Sequence, residues 1–193
     1  MGNGSAMDPD RELVERARTG DIAAFEELVE RHRDVVYRVA ARTVGHDEAE
    51  DVSQDAFLRA FHRLPSFRGE APFRAWLLSI TRNAALNQLA RRRPEPVESV
   101  DPLVEAADGE PERTPADRLE GRERRDRLEA KVRMLTPAHR VVLVLRDIEG
   151  LSYEEISEVT ESPLGSVKGR LHRARGELIE LLRRNTYDWG LPE

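Results

Sequence analysis

The chain has 193 residues and a net charge of −6, enough length for one large or two small domains. It has no cysteine, which excludes disulfide frameworks and thiolate metal sites, and its histidines (His32, His46, His62, His139, His172) are too scattered for zinc or di-iron spacing. No apolar run approaches the roughly 20 residues of a membrane span, and the opening MGNGSAM lacks the basic and apolar parts of a secretory signal. The expectation is therefore a cytoplasmic protein with no direct membrane insertion, no metal and no cofactor.

Strand signals are absent throughout, so the expected fold class is all-α. Residues 1–7 read as a flexible leader. Asp8 with Pro9 starts a first helix that Gly20 stops, and Asp21 starts a second that runs to about Val44, where Gly45 takes the position after the last turn. Asp47 caps a third helix ending before Pro65. A loop over residues 66–71 then leads to Pro72 and a long fourth helix finishing at Arg91 to Arg93. Phe25, Leu28, Val36, Val39, Phe57, Phe61, Leu64, Phe73, Trp76, Leu77 and Ile80 supply a core for a small bundle over residues 8–93.

The third helix is expected to bury Phe57, Leu58, Phe61 and Leu64 and to line up Glu48, Asp51 and Asp55 on its other side, with Val52 and Ala56 exposed beside the acids. Acids near a helix N-terminus complement its dipole. An acidic row bordered by apolar residues also suits a basic docking partner, and both readings stand on the residues alone. Along one azimuth of the fourth helix, Phe73, Ile80 and Ala84 give way to Asn87 and Arg91, with Asn83 alongside. Asparagine is a poor helix-interior residue, so this end reads either as a nucleic-acid surface or as a polar end with a basic cap.

The charge deficit sits in the middle of the chain. Residues 94–119 hold 2 basic and 8 acidic residues, against 15 and 15 before them and 14 and 14 after. This proline-rich, acidic, aperiodic stretch reads as a tether. Beyond it, residues 120–184 read as a second helical domain and 185–193 as a tail.

Within the second domain, Ser152 and Glu155 have the spacing of a capping box at the start of a short helix, Tyr153 to about Val159. Ser162 offers a second N-cap and Pro163 suits the first position of a helix that runs unbroken to Arg184. Leu164, Val167, Leu171, Ala174, Leu178 and Leu181 form its inward stripe. Ser166, Lys168, Gly169, His172, Arg173 and Gly176 face out, with Arg170 and Arg175 flanking. Two helices joined by a tight turn, the second with a basic outer face, make a helix-turn-helix suited to a major groove, the alternative being a solvated amphipathic helix.

In this order, the segments HDEAEDVSQDAFLRAFHRLPSFRG, APFRAWLLSITRNAALNQLARRR and LSYEEISEVTESPLGSVKGRLHRAR resemble the bacterial RNA polymerase sigma factors of the extracytoplasmic-function (ECF) group. The resemblance covers nearly all the chain outside leader, linker and tail. It implies two small helical domains, an N-terminal bundle and a C-terminal helix-turn-helix, joined by a flexible acidic linker. It implies that Asp51, Gln54 and Asp55, with Glu48 beside them, meet bacterial core RNA polymerase. It places Phe67, Arg68 and Gly69, in the loop Phe67 to Ala71, with Asn83, Asn87 and Arg91 on the melted minus-ten element of promoter DNA. Ser166, Lys168, Arg170 and Arg173 are placed on the duplex minus-thirty-five element. Gly169 stands where the family usually has a serine, and Ser162 where it often has a glycine. An anti-sigma factor is the further partner implied.

No catalytic residue is assigned, because the acidic row lacks a histidine or a convergent pocket motif. The rival reading is a stand-alone helix-turn-helix regulator that binds a duplex operator as a dimer.

Overall fold

The structure, a computed structural model, describes residues 9–91 and 115–184, without the side chains of residues 115–120 and 122. Asp8, most of the expected tether and the tail lie outside the described residues. Within them the chain is all-α, with no strand. The helices are α1 (Arg11–Arg18), α2 (Ile22–Val44), α3 (His46–Arg63), α4 (Phe73–Arg91), α5 (Pro115–Met134), α6 (Pro137–Leu143), α7 (Tyr153–Thr160) and α8 (Leu164–Arg183). Helix α5 begins inside the stretch whose composition reads as tether.

Helices α1 to α4 form the first domain, organised on α2. Asp21 caps α2 by accepting from the Ala24 amide at 3.1 Å, and Gly45 ends it at φ 102°, a conformation costly for a side-chain-bearing residue. One apolar cluster joins Leu28 and Val36 to Ala60, Leu64, Phe73 and Leu77. A small-residue cluster, including Ala40, Ala41, Ala49, Val52, Ala84 and Ala85, lets α2, α3 and α4 approach closely. The buried Asp10 carboxylate pins the entry to α1, with Nε2 of His32 at 2.6 Å and Nη1 of Arg31 at 2.8 Å. A buried carboxylate needs such partners because desolvation alone would disfavour its charge.

Helices α5 to α8 form the second domain. Helix α6 passes into a wide π turn over Val144–Ile148, after which the chain turns into α7. Both capping-box bonds are present: the Glu155 amide donates to Oγ of Ser152 at 3.1 Å, and the Ser152 amide donates to Oε2 of Glu155 at 2.7 Å. The turn before α8 is made by Glu161 in the left-handed conformation, φ 50°. Ser162 does not cap α8: its hydroxyl donates to the Thr160 carbonyl, and α8 starts after Pro163.

The two domains pack against each other, which their composition gives no reason to expect of domains on a tether. Val35 and Val39 of α2 and Ala75 and Leu78 of α4 share one apolar cluster with Val141, Leu145, Ile156, Val159, Val167 and Leu171. Arg140, only 8 % exposed, donates to the carbonyls of Thr43 at the end of α2 and of Arg133 and Leu135 at the end of α5. One guanidinium thereby satisfies carbonyls at two helix C-termini, where positive charge is favoured. Helix α7 lies along α4, and burial beneath it holds the Arg82 guanidinium below its ordinary pKa, with Glu161 opposing that shift and Arg170 adding to it.

Candidate docking and nucleic-acid interfaces

The third helix turns a different face outward from the one its apolar spacing indicates. Val52 and Ala56 are buried under the small-residue seam, whereas Leu58 is 61 % and Phe61 43 % exposed. The reason is steric: α2 and α4 approach α3 too closely for large side chains, so alanines and a valine occupy the inner azimuth. Asp51, Gln54, Leu58 and Phe61 consequently share one outward strip at steps of three and four residues. Asp51 and Gln54 are exposed, Glu48 and Asp55 half-buried, and Asp55 accepts from Nε of Arg59 at 2.8 Å. A shallow cleft of about 330 Å³ runs between α2 and α3, lined by Arg33, Asp34, Tyr37, Glu50, Ser53, Gln54 and Phe57. An acidic strip that passes into exposed leucine and phenylalanine suits a partner presenting basic groups beside an apolar ridge.

At the other end of the first domain the loop after α3 divides into an inner and an outer part. Phe67 is 7 % exposed, with its ring 4.8 Å from Trp76 and 6.1 Å from Phe73, so it belongs to the core and does not present a stacking face. Arg68 and Glu70 are open to solvent on either side of Gly69, whose φ of 71° favours a residue without a side chain. On α4, Phe73, Ile80 and Ala84 are buried while Asn87 and Arg91 on the same azimuth are exposed, because the helix runs past the end of the bundle. Asn83 is half-buried and accepts from Nη1 of Arg82 at 2.9 Å.

On α8, Val167, Leu171 and Ala174 are buried, and Ser166, Lys168 and Arg173 are exposed. Arg170 is half-buried, with Nη1 3.5 Å from Oγ of Ser162. Arg175 is held by Asp147, Nε donating at 3.0 Å, and this hydrogen bond raises the Arg175 pKa. Tyr153, the first residue of α7, lies between Arg146 and Lys168, their cationic groups 4.6 Å and 5.5 Å from its ring centre. Cations over an aromatic face are held electrostatically without losing all their donors.

These features place the expected residues on three surfaces: Glu48, Asp51, Gln54 and Asp55 on α3, Arg68, Gly69, Asn83, Asn87 and Arg91 at the loop and the end of α4, and Ser166, Lys168, Arg170 and Arg173 on α8. Phe67 stands apart from its neighbours in the interior. Leu58 and Phe61 extend the first surface, and Arg146 and Tyr153 the third. Sequence reasoning missed Leu58 and Phe61 because it put both on the apolar face of α3 opposite the acids. It missed Tyr153 because a single aromatic at a helix start carries no periodic signal.

The sigma-70 region 2 family model matches residues 28–95, and the sigma-70 region 4 model matches residues 125–178. The RNA polymerase sigma-H factor of Pseudomonas aeruginosa is 38 % identical over 92 % of this chain and 95 % of its own length. The ECF RNA polymerase sigma-E factor of Haemophilus influenzae is 36 % identical over 89 % and 93 %. Among solved structures, the sigma factor RpoE of Bartonella quintana, in complex with the anti-sigma factor NepR, superposes with a TM-score of 0.65 at 25 % identity, covering 83 % of this chain and 98 % of that one. The chain belongs to the ECF RNA polymerase sigma factors.

Proposed function

We propose that the chain binds bacterial core RNA polymerase and directs promoter-specific initiation of transcription. The observation that carries the reading is the charge division of its exposed faces. An acidic and apolar strip on α3 fits a basic protein partner, while the outward face of α8 between Ser166 and Arg173 is basic and fits duplex DNA. Holoenzyme supplies most of the phosphate electrostatics, so a chain of net charge −6 is compatible with DNA reading.

In this reading Asp51, Gln54 and Asp55, with Glu48, dock on core polymerase. Ser166, Lys168, Arg170 and Arg173 enter the major groove at the minus-thirty-five element, where base edges are distinguishable. Arg68, Gly69, Asn83, Asn87 and Arg91 meet the melted minus-ten element, with Phe67 supporting the loop from inside. Unstacking a base costs a few kcal/mol, which capture in the loop offsets. The chain carries out no covalent step, nucleotide addition belonging to the polymerase, and it works in the cytoplasm. An anti-sigma protein that covers the DNA-reading faces is its regulator.

The test is initiation by a reconstituted enzyme. Core polymerase mixed with the purified chain initiates at specific sites, and the chain alone binds duplex promoter weakly. Tight binding of duplex by a dimer without polymerase, with no stimulation of initiation, would favour the stand-alone regulator instead.

A further inference from the structure

Gly169 and Arg173 lie one turn apart on the outward face of α8, and Arg173 folds back over the glycine. A Cβ built at residue 169 stands 3.7 Å from Nη1 and 3.9 Å from Nη2 of Arg173. Helical side chains lean toward the N-terminus, so the spot above residue 169 is the one that a long side chain at residue 173 covers. Every other arginine or lysine between Ser166 and Arg175 is engaged: Arg170 with Ser162, Arg175 with Asp147 and Lys168 with the Tyr153 ring. Arg173 is exposed and, among the described residues, has no hydrogen bond or ion pair. Its planar fork of donors is therefore uncommitted and lies on the open side of the helix.

We propose that Gly169 is a specificity-determining position of α8: its missing side chain leaves the space in which the Arg173 guanidinium lies, and from that placement the fork pairs with a guanine. A guanidinium matches the two acceptors that guanine shows in the major groove, O6 and N7, and the match depends on where the fork sits. A longer side chain at residue 169 would occupy that space and push the fork off the helix face. A methyl group would not, because it meets the guanidinium at ordinary contact distance. The inference rests on the proposed reading of α8 as the minus-thirty-five helix.

The test uses holoenzyme assembled with the wild-type chain, Gly169→Ala, Gly169→Met, Arg173→Ala and the double variant Gly169→Met/Arg173→Ala. Initiation is measured on promoters carrying each single-base change across the minus-thirty-five element. The wild-type chain prefers guanine at one position by about tenfold, within the range of a bidentate contact. Gly169→Ala keeps this preference, Gly169→Met loses most of it, and Gly169→Met changes nothing further at that position once Arg173 is removed. Altered helix propensity would scale all promoters together and leave the base profile intact. Retention of the guanine preference by Gly169→Met, or an equal change at that position without Arg173, overturns the role of Gly169 alone. If Arg173→Ala leaves every promoter unaffected, the reading of α8 falls, and the role of Gly169 falls with it.

Discussion

Glu149, at the end of the π turn, holds its carboxylate against α2, with Oε2 2.9 Å from Nη2 of Arg38 and Oε1 3.1 Å from its Nε. The Glu149 side chain is 2 % exposed, Arg42 adds a guanidinium nitrogen at 3.6 Å, and Nη2 of Arg74 donates to the Glu149 carbonyl at 3.4 Å. A carboxylate this buried is tolerable only with paired charge. The two domains are thus joined by an ionic contact as well as by the shared apolar cluster.

Glu149→Ala should loosen this contact. Arg38 is nearly half exposed and can recover water, so the expected loss is about 2 kcal/mol, below the figure for a fully buried pair. The geometry gives the loss a functional side. Elements about 25 base pairs apart span about 85 Å of duplex, yet α4 and the helix-turn-helix abut in this structure. Small-angle scattering should show a larger radius for the variant, and stopped-flow assembly with core polymerase should be faster. An unchanged radius and an unchanged melting temperature would show that the ion pair does not hold the domains together.

Arg140→Met should be the more damaging change. It removes a buried cation whose donors serve Thr43, Arg133 and Leu135, and three carbonyls then lose a charged partner. The expected cost is about 3–5 kcal/mol. Arg140→Lys should recover little, since a point ammonium cannot reach carbonyls that a planar fork spans. Urea unfolding of the three proteins measures the difference, and a lysine variant as stable as the wild type would refute the fork argument.

Asp51→Arg should abolish retention on immobilised core polymerase while leaving the far-ultraviolet circular dichroism unchanged. Asp51 is exposed and no ion pair within the described residues depends on it, so the fold has little at stake. Leu58→Asp, on the same strip, should weaken retention about tenfold or more through the apolar half of the contact. Full retention by both variants would remove α3 as the docking surface.

Ser152→Ala deletes one of the two capping-box bonds at the start of α7. The expected loss is about 1 kcal/mol, and Glu155→Ala should cost less than that again in the Ser152→Ala background because the two bonds form one unit. Chemical denaturation of the single and double variants reads the coupling. Strict additivity would mean that the two bonds act independently.

The local features of this chain were legible in its residues because they rest on local chemistry. Asp21 capping α2, Gly45 ending it, the Ser152–Glu155 box and the stripe of Val167, Leu171 and Ala174 each depend on neighbours within about one or two turns. The all-α class, the boundaries of most helices and the outward face of α8 follow from the same short-range rules. Three things did not follow. Apolar spacing on α3 pointed Leu58 and Phe61 inward, but which azimuth is buried is set by how closely α2 and α4 approach, and the side chains found there are alanines and a valine. The loop spacing likewise said nothing of Phe67 turning in toward Trp76. The packing of one domain on the other was equally hidden, because the apolar and charged residues that make it lie far apart in the chain. Glu149 is 111 residues from Arg38, and Arg140 is 97 from Thr43. Such pairs leave no periodic trace in the sequence, and their meeting is decided only when the tertiary fold removes the competing water.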